Sequence, residues 1–360
     1  MSHLLKGLDF DPFQERPPWF GPDLQTLRNT LRARHHRPDS GLTHEFALPD
    51  GDQLLARWDS PQGAARGLVV VVHGLGGGSD DEGQRRVGRS LCAAGFAVLR
   101  LNLRGAGPGR PLAKGTYAAN CNRDLLPVLV ECRRLAKDLA PSGEALPLGA
   151  VGLSLGGTVL LNALVGHGQS GPPLLDGVVC ISSPLDLQSC AACIERPRNR
   201  VYQAWLVRRL IQQTLADPHG LPAQEQQGLR GLSRPRTIRA FDALITAPRW
   251  GFPSVLAYYQ ACSPLPRLRQ GLVEPAVLPR LLLVQARDDP WVPVDPLLSI
   301  AEEIRVQREH GSREVWPEVL ITDRGGHNGF HAPGDSPDGC WSDRLAAHWL
   351  QRVLVPPASP

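Results

Sequence analysis

The chain has 360 residues, of which 42% are hydrophobic, and a formal net charge of +4. That is enough apolar material for a full core, and the longest apolar run, Leu68 to Val72, falls far short of the ~18 residues of a membrane span. Basic charge is almost all arginine, with lysine only at Lys6, Lys114 and Lys137, and no basic run is interleaved with aromatics, which argues against a nucleic-acid surface.

From the N-terminus, Met1 to Lys6 lacks the apolar core of a signal peptide, so a soluble cytoplasmic protein is the default expectation. Residues 1–42 read as an N-terminal arm. Its aromatics Phe10, Phe13, Trp19 and Phe20 could form a peripheral membrane-contacting edge, although such residues more often pin an arm to its own domain. The cluster Arg32, Arg34, His35, His36, Arg37 reads as a solvated loop.

The body then alternates short β runs with helical stretches, the pattern of a mostly parallel sheet covered on both faces. Two opening strands fit 44–48 and 53–58, joined by the turn Pro49-Asp50-Gly51-Asp52. Further strands fit 68–72, 96–101, 148–153, 178–182, 281–285 and 319–322. Helices fit 82–94, 122–139, 155–165, 296–307 and 341–353. Residues 43–184 and 280–354 thus form two parts of one core, and 355–360 a tail. Between them, 185–279 breaks the rhythm with helical patches at Tyr202 to Leu215 and Ser254 to Cys262. Nearly a hundred residues cannot be a structureless loop, so a helical cap inserted after the sixth strand is expected.

One pentapeptide stands out. Gly152-Leu153-Ser154-Leu155-Gly156 lies between a strand and a helix, the setting of a nucleophile elbow, in which small residues let a serine hydroxyl rise above the sheet at a helix N-terminus. A serine needs a base to take its proton and a carboxylate to orient that base. Gln285 to Pro293 follows one buried strand and carries Asp288 and Asp289; neighbouring side chains point to opposite sides, so one of the two can face a histidine. Asp289 is assigned, because the acid of such a loop usually precedes a proline by about four residues, here Pro293, and Asp288 remains the alternative. His327, in the Gly325-Gly326-His327 setting after the last strand, is the candidate base, with His331 as a nearby rival. For the negative charge of a tetrahedral intermediate, the backbone N–H groups of Leu75, in His73-Gly74-Leu75-Gly76-Gly77-Gly78, and of Leu155 are expected to form an oxyanion hole. The glycine-rich loop lacks the GxGxxG order and lysine of a phosphate cradle. Cys190 and Cys193 form a CxxC without a second pair at zinc spacing, and all eight cysteines read as reduced bystanders.

These residues resemble the YheT-like branch of the α/β-hydrolases. Pro18-Trp19-Phe20-Gly21-Pro22-Asp23-Leu24-Gln25-Thr26 is similar to that family's N-terminal signature, although Pro22-Asp23 stands where Pro-His is usual. Leu48 to Asp52, His73 to Gly77 and Asn102-Leu103-Arg104-Gly105-Ala106-Gly107 also resemble its segments. Within the cap, Arg239 to Asp242, Thr246, Gly251-Phe252, Tyr258-Tyr259 and Ser263 look like its most discriminating pattern. The stretch Pro108 to Gly115 departs from it. The resemblance implies an α/β-hydrolase fold with an eight-stranded, mostly parallel sheet, and a serine esterase with Ser154, Asp289 and His327 as triad and no cofactor. Its substrate would be a small-molecule ester. Acyl transfer, thioester or phospholipid chemistry on the same triad, and a non-catalytic ligand-binding module, are the alternatives. Trp250, Phe252, Tyr258 and Tyr259 could line an acyl pocket or pack cap to core.

Overall fold

The structure is a computed structural model that describes residues 2–31, 41–140, 145–167, 173–230, 235–273, 278–309, 317–335 and 339–355. The cluster 32–37 and the tail from 356 lie outside the described residues. Its centre is an eight-stranded sheet: β1 (Leu42–Ala47), β2 (Gln53–Asp59), β3 (Leu68–Val72), β4 (Ala97–Leu101), β5 (Leu148–Leu153), β6 (Gly177–Ile181), β7 (Arg280–Ala286) and β8 (Glu318–Thr322). The spatial order is β1-β2-β4-β3-β5-β6-β7-β8. The β1–β2 hairpin is antiparallel and β2 runs antiparallel to β4, while all pairings from β4 through β8 are parallel. Every expected strand is present, with ends moved by at most two residues.

The helices are α1 (Ser2–Leu8), α2 (Gly21–Leu31), α3 (Glu82–Ala93), α4 (Asn122–Asp138) and α5 (Leu155–His167) in the first part of the chain. Among the described residues, seven α-helices lie between β6 and β7: α6 (Leu187–Ile194), α7 (Arg200–Leu215), α8 (Ala223–Arg230), α9 (Ile238–Phe241), α10 (Ala247–Arg249), α11 (Val255–Cys262) and α12 (Leu265–Val273). A π-helical turn at Asp242–Thr246 joins α9 to α10. Then α13 (Asp295–Glu309) and α14 (Trp341–Leu354) complete the chain.

Side-chain alternation along the strands sorts the core into two layers. Val70 and Val72 face a layer with Leu125, Leu129, Leu160 and Ile300, supplied by α4, α5 and α13. Val69 and Val71 face the opposite layer, with Val87, Leu91, Trp341 and Leu345 from α3 and α14. Leu5 and Leu8 of α1 join that second layer, and Phe10 and Phe13 pack edge-on against Trp341. These two arm aromatics therefore pin the arm to the core, whereas Phe20 stays 54% exposed.

Because β3 and β5 to β8 are parallel, the loops that follow them gather along one edge of the sheet. Those loops carry the residues singled out above.

Candidate active site

Ser154 follows directly on β5 with φ of 52°, a strained left-handed conformation for a non-glycine residue and the mark of the elbow. The flanks must be glycine for a measurable reason. A Cβ on Gly156 would lie 2.2 Å from the Val72 carbonyl oxygen, and one on Gly152 would lie 2.4 Å from the Gly157 Cα. The tight crossing of strand and helix thus leaves room for the serine side chain alone.

Three loops bring their side chains to one place. Ser154 Oγ lies 3.0 Å from His327 Nε2, and His327 Nδ1 lies 2.8 Å from Asp289 Oδ2. With Nδ1–H donated to the carboxylate, Nε2 is left to accept the serine proton. Asp289 is held by its own loop, Oδ1 accepting from the N–H groups of Trp291 (2.8 Å) and Val292 (3.0 Å). Asp288 points elsewhere and accepts from the Gly326 N–H at 2.9 Å, so it braces the histidine loop; burial pushes its carboxyl up. His331 is fully buried outside the cavity lining, its backbone clasped by the Gln25 side chain, with its ring held below the usual histidine range by burial and by Arg86, Arg28 and Arg16.

Leu75 and Leu155 line the same cavity as Ser154. As the first residue of α5, Leu155 has an N–H with no acceptor inside its helix. The loop that carries Leu75 is fastened on every side. His73 is buried and held below the usual histidine range, mainly by burial. Its Nε2 accepts from the Leu103 N–H at 3.1 Å, and Nδ1 donates to the Gly74 carbonyl at 2.8 Å. The Gly76 N–H donates to the Tyr117 hydroxyl at 2.7 Å. Across the cavity, α7 reaches in: Arg209 Nε and Gln213 Nε2 both donate to the Gly76 carbonyl, the latter at 3.0 Å, and Arg209 pairs with Asp81 at 2.8 Å.

Several site residues carry no motif of their own. The Trp291 ring stacks on His327 at 4.4 Å between centroids. Asn328, with φ of 53°, sets its amide 3.2 Å from His327 Nε2. Thr26 of α2 accepts from the His327 N–H at 2.9 Å, which gives the N-terminal signature a physical role beneath the histidine loop. Cys190 and Cys193 are free thiols on α6, directed at the Trp291 and Pro290 carbonyls (3.6 Å each), so the CxxC packs against the acid loop. Among the described residues no His/Cys/Asp/Glu group is arranged to hold a metal ion.

The cavity has a volume of about 260 Å³. Its walls come from the core loops and from the helices between β6 and β7, including Leu206, Leu210, Phe241, Tyr258 and Tyr259. Of the four aromatics considered for it, Tyr258 and Tyr259 reach the lining, Phe252 packs behind Tyr258, and Trp250 turns away to donate to the Thr116 carbonyl. A carboxyl sits in this wall, beside the polar Gln213, Thr214 and Thr246. Asp242, in the π-helical turn, accepts from Thr246 Oγ1 (2.7 Å) and the Tyr259 hydroxyl (2.8 Å), and burial pushes its carboxyl up to about 6.

Residues 69–344, most of the chain, match the model of the alpha/beta hydrolase family. The chain belongs to that family. It is 28% identical over 309 residues to the Escherichia coli protein named "Putative esterase YheT", covering 85% of this chain and 84% of that one. It is also 28% identical over 316 residues to the medium-chain fatty acid ethyl ester synthase/esterase 2 of Saccharomyces cerevisiae, covering 79% of this chain and 62% of the yeast protein. Among solved structures, an esterase of Pyrococcus furiosus superposes with a TM-score of 0.54 at 17% identity, covering 89% of this chain and 96% of that one, a likeness of fold.

Proposed function

We propose that this hydrolase cleaves carboxylic esters of short to medium acyl chains through Ser154, His327 and Asp289. The observation that carries the reading is the continuous relay from Ser154 Oγ to His327 (3.0 Å) to Asp289 (2.8 Å) at a strained elbow. His327 takes the serine proton as Oγ attacks the ester carbonyl. The N–H groups of Leu75 and Leu155 receive the developing oxyanion, each worth about 2.7–4 kcal/mol in the transition state. The imidazolium, stabilised by Asp289, then protonates the departing alkoxide. Water, activated by the same histidine, releases the acid from the acyl-enzyme. No step calls for a cofactor.

The cavity volume of about 260 Å³ supports the chain length, being just below the ~300–1,000 Å³ of common small-molecule sites. The segment 185–279 acts as a cap, since its helices supply the wall opposite Ser154. The name of the yeast relative favours a second outcome, transfer of the acyl group to an alcohol in place of water.

The decisive experiment is Ser154→Ala. Ester hydrolysis should fall about 10⁴-fold or more, with an unchanged melting curve and no labelling by a fluorophosphonate that marks the parent protein. Hydrolysis near the parental rate would remove Ser154 from the role. Product analysis with ethanol present separates hydrolysis from acyl transfer.

A further inference from the structure

Helix α2 has two unlike faces. Its inward face is polar and bears on the active site: Thr26 accepts from the His327 N–H, and Gln25 clasps the His331 backbone from both sides. Outward, Leu24 and Leu31, seven residues apart on the helix, are 41% and 61% exposed, and Phe20, just before its first turn, is 54% exposed. Alongside lies α7, joined to α2 where Asp23 accepts from the Tyr202 hydroxyl at 2.9 Å and pairs with Arg198 at 3.1 Å. The neighbouring outward side chains of α7 are Val201, 80% exposed, and Trp205, 45% exposed.

Single exposed apolar residues are ordinary. Four of these five lie on two adjoining helices, with Phe20 just before the first, and Trp205 also lines the cavity, so the apolar strip runs to the opening that serves Ser154. Cations accompany it. Arg198, Arg200 and Arg208 are exposed on or beside α7, and the Arg209 guanidinium sits 5.5 Å from the centroid of the Trp205 ring. Apolar side chains, a half-buried tryptophan and surrounding arginines are the composition that seats a helix in the headgroup layer of an anionic membrane. Among the described residues no helix is long and apolar enough to cross one.

We propose that the outward faces of α2 and α7 dock the protein on an anionic phospholipid surface, with the cavity opening towards the lipid. This deepens the esterase reading by giving its substrate a physical state, an ester packed in a lipid layer. Docking places that substrate beside Trp205, and because α2 supports the His327 loop from behind, the docked helix and the reacting histidine are mechanically joined.

The test is flotation of the full chain with vesicles of phosphatidylcholine alone and of phosphatidylcholine mixed with phosphatidylglycerol. Binding should favour the mixed vesicles and weaken as salt is raised. The double variant Leu24→Gln/Val201→Gln should lose about tenfold or more in vesicle partitioning while hydrolysing a water-soluble short ester at the parental rate. Ser154→Ala protein should float as the parent does, so a failed esterase reading would leave this result standing. The proposal is overturned if the parent protein does not float, or if the double variant floats equally well. It is overturned too if the parent sediments as a dimer that the double variant dissolves without any vesicle binding, which would make the face an interface between copies of the chain.

Discussion

The parallel sheet and the helical segment between β6 and β7 enclose one cavity and share one apolar core, yet the helical segment adds polar ties that the sheet does not need. Strands β3 to β7 are almost continuously buried, and the chain leaving each parallel strand has few conformations open to it. The helical segment shares the buried apolar core through Leu187, Ala191, Tyr258, Tyr259 and Cys262 and adds long polar ties to it: Arg209 and Gln213 on the Gly76 carbonyl, Asp217 on Arg110, and Arg249 on Thr116. Burial therefore holds the loops of the proposed nucleophile, base and acid, while Arg209 and Gln213, reaching from α7, hold the loop proposed to meet the oxyanion. The two regions should fail differently when cut.

The largest effect belongs to the sheet edge. Asp289→Ala removes the acceptor of the His327 Nδ1 proton and should lower kcat about 10⁴-fold. Asp288→Ala removes the acceptor for the Gly326 N–H and a long ion pair with Arg324 at 3.9 Å, so about a tenfold loss is expected from a loosened histidine loop. Steady-state kinetics on one soluble ester, with melting curves for both variants, makes the comparison. The reverse order would give the orienting role to Asp288.

That pair also marks how far the sequence could be read. The strands, the elbow and the ordered loops were legible because each depends on neighbours in the chain: a buried run, then glycines, then the reactive residue. Alternation of side chains and one proline favoured Asp289 over Asp288, and it is Asp289 that lies against His327 while Asp288 accepts from Gly326. Helix α2 escaped that reading, since its apolar positions Leu24 and Leu31 face outward, and the residues that brace the histidine loop are polar. Gln25 and Thr26 act on residues about three hundred positions away, and no local pattern announces such a contact. The same holds for Arg209 and Tyr117, which meet at Gly76 from opposite parts of the chain.

A middle-sized effect should come from the segment that spans the cavity. Arg209→Ala leaves the Gly76 carbonyl with Gln213 and Asp81 with the Gly78 N–H alone, and Gln213→Ala leaves the Gly76 carbonyl with Arg209. The Leu75 N–H then loses its fixed aim, and preorganised donors act through their aim at charge that develops only in the transition state. We expect kcat to fall about 10- to 100-fold with Arg209→Ala, less with Gln213→Ala, and KM to stay within about threefold. A rise in KM with unchanged kcat would show that these side chains shape only the entrance. The contrast between a fixing core and a fixing cap would then collapse.

The smallest effect concerns stability and separates Asp242 from both regions. Its carboxyl is pushed up to about 6 from an ordinary value of 3.8, because burial opposes its charge more strongly than the Thr246 and Tyr259 hydroxyls favour it. Between those two values the folded protein holds a proton that the unfolded chain has released, so the contribution of this group to stability declines as pH rises from about 4 to about 6 and is lost above that. Asp242→Asn cannot ionise, while its amide oxygen still offers an acceptor to the two hydroxyls. The variant should therefore melt higher than the parent at pH 7 and show a flatter melting profile between pH 4 and 7. If the two profiles run parallel, the carboxyl is ionised in the fold throughout that range, and the cavity wall around it is wetter than its apolar lining implies.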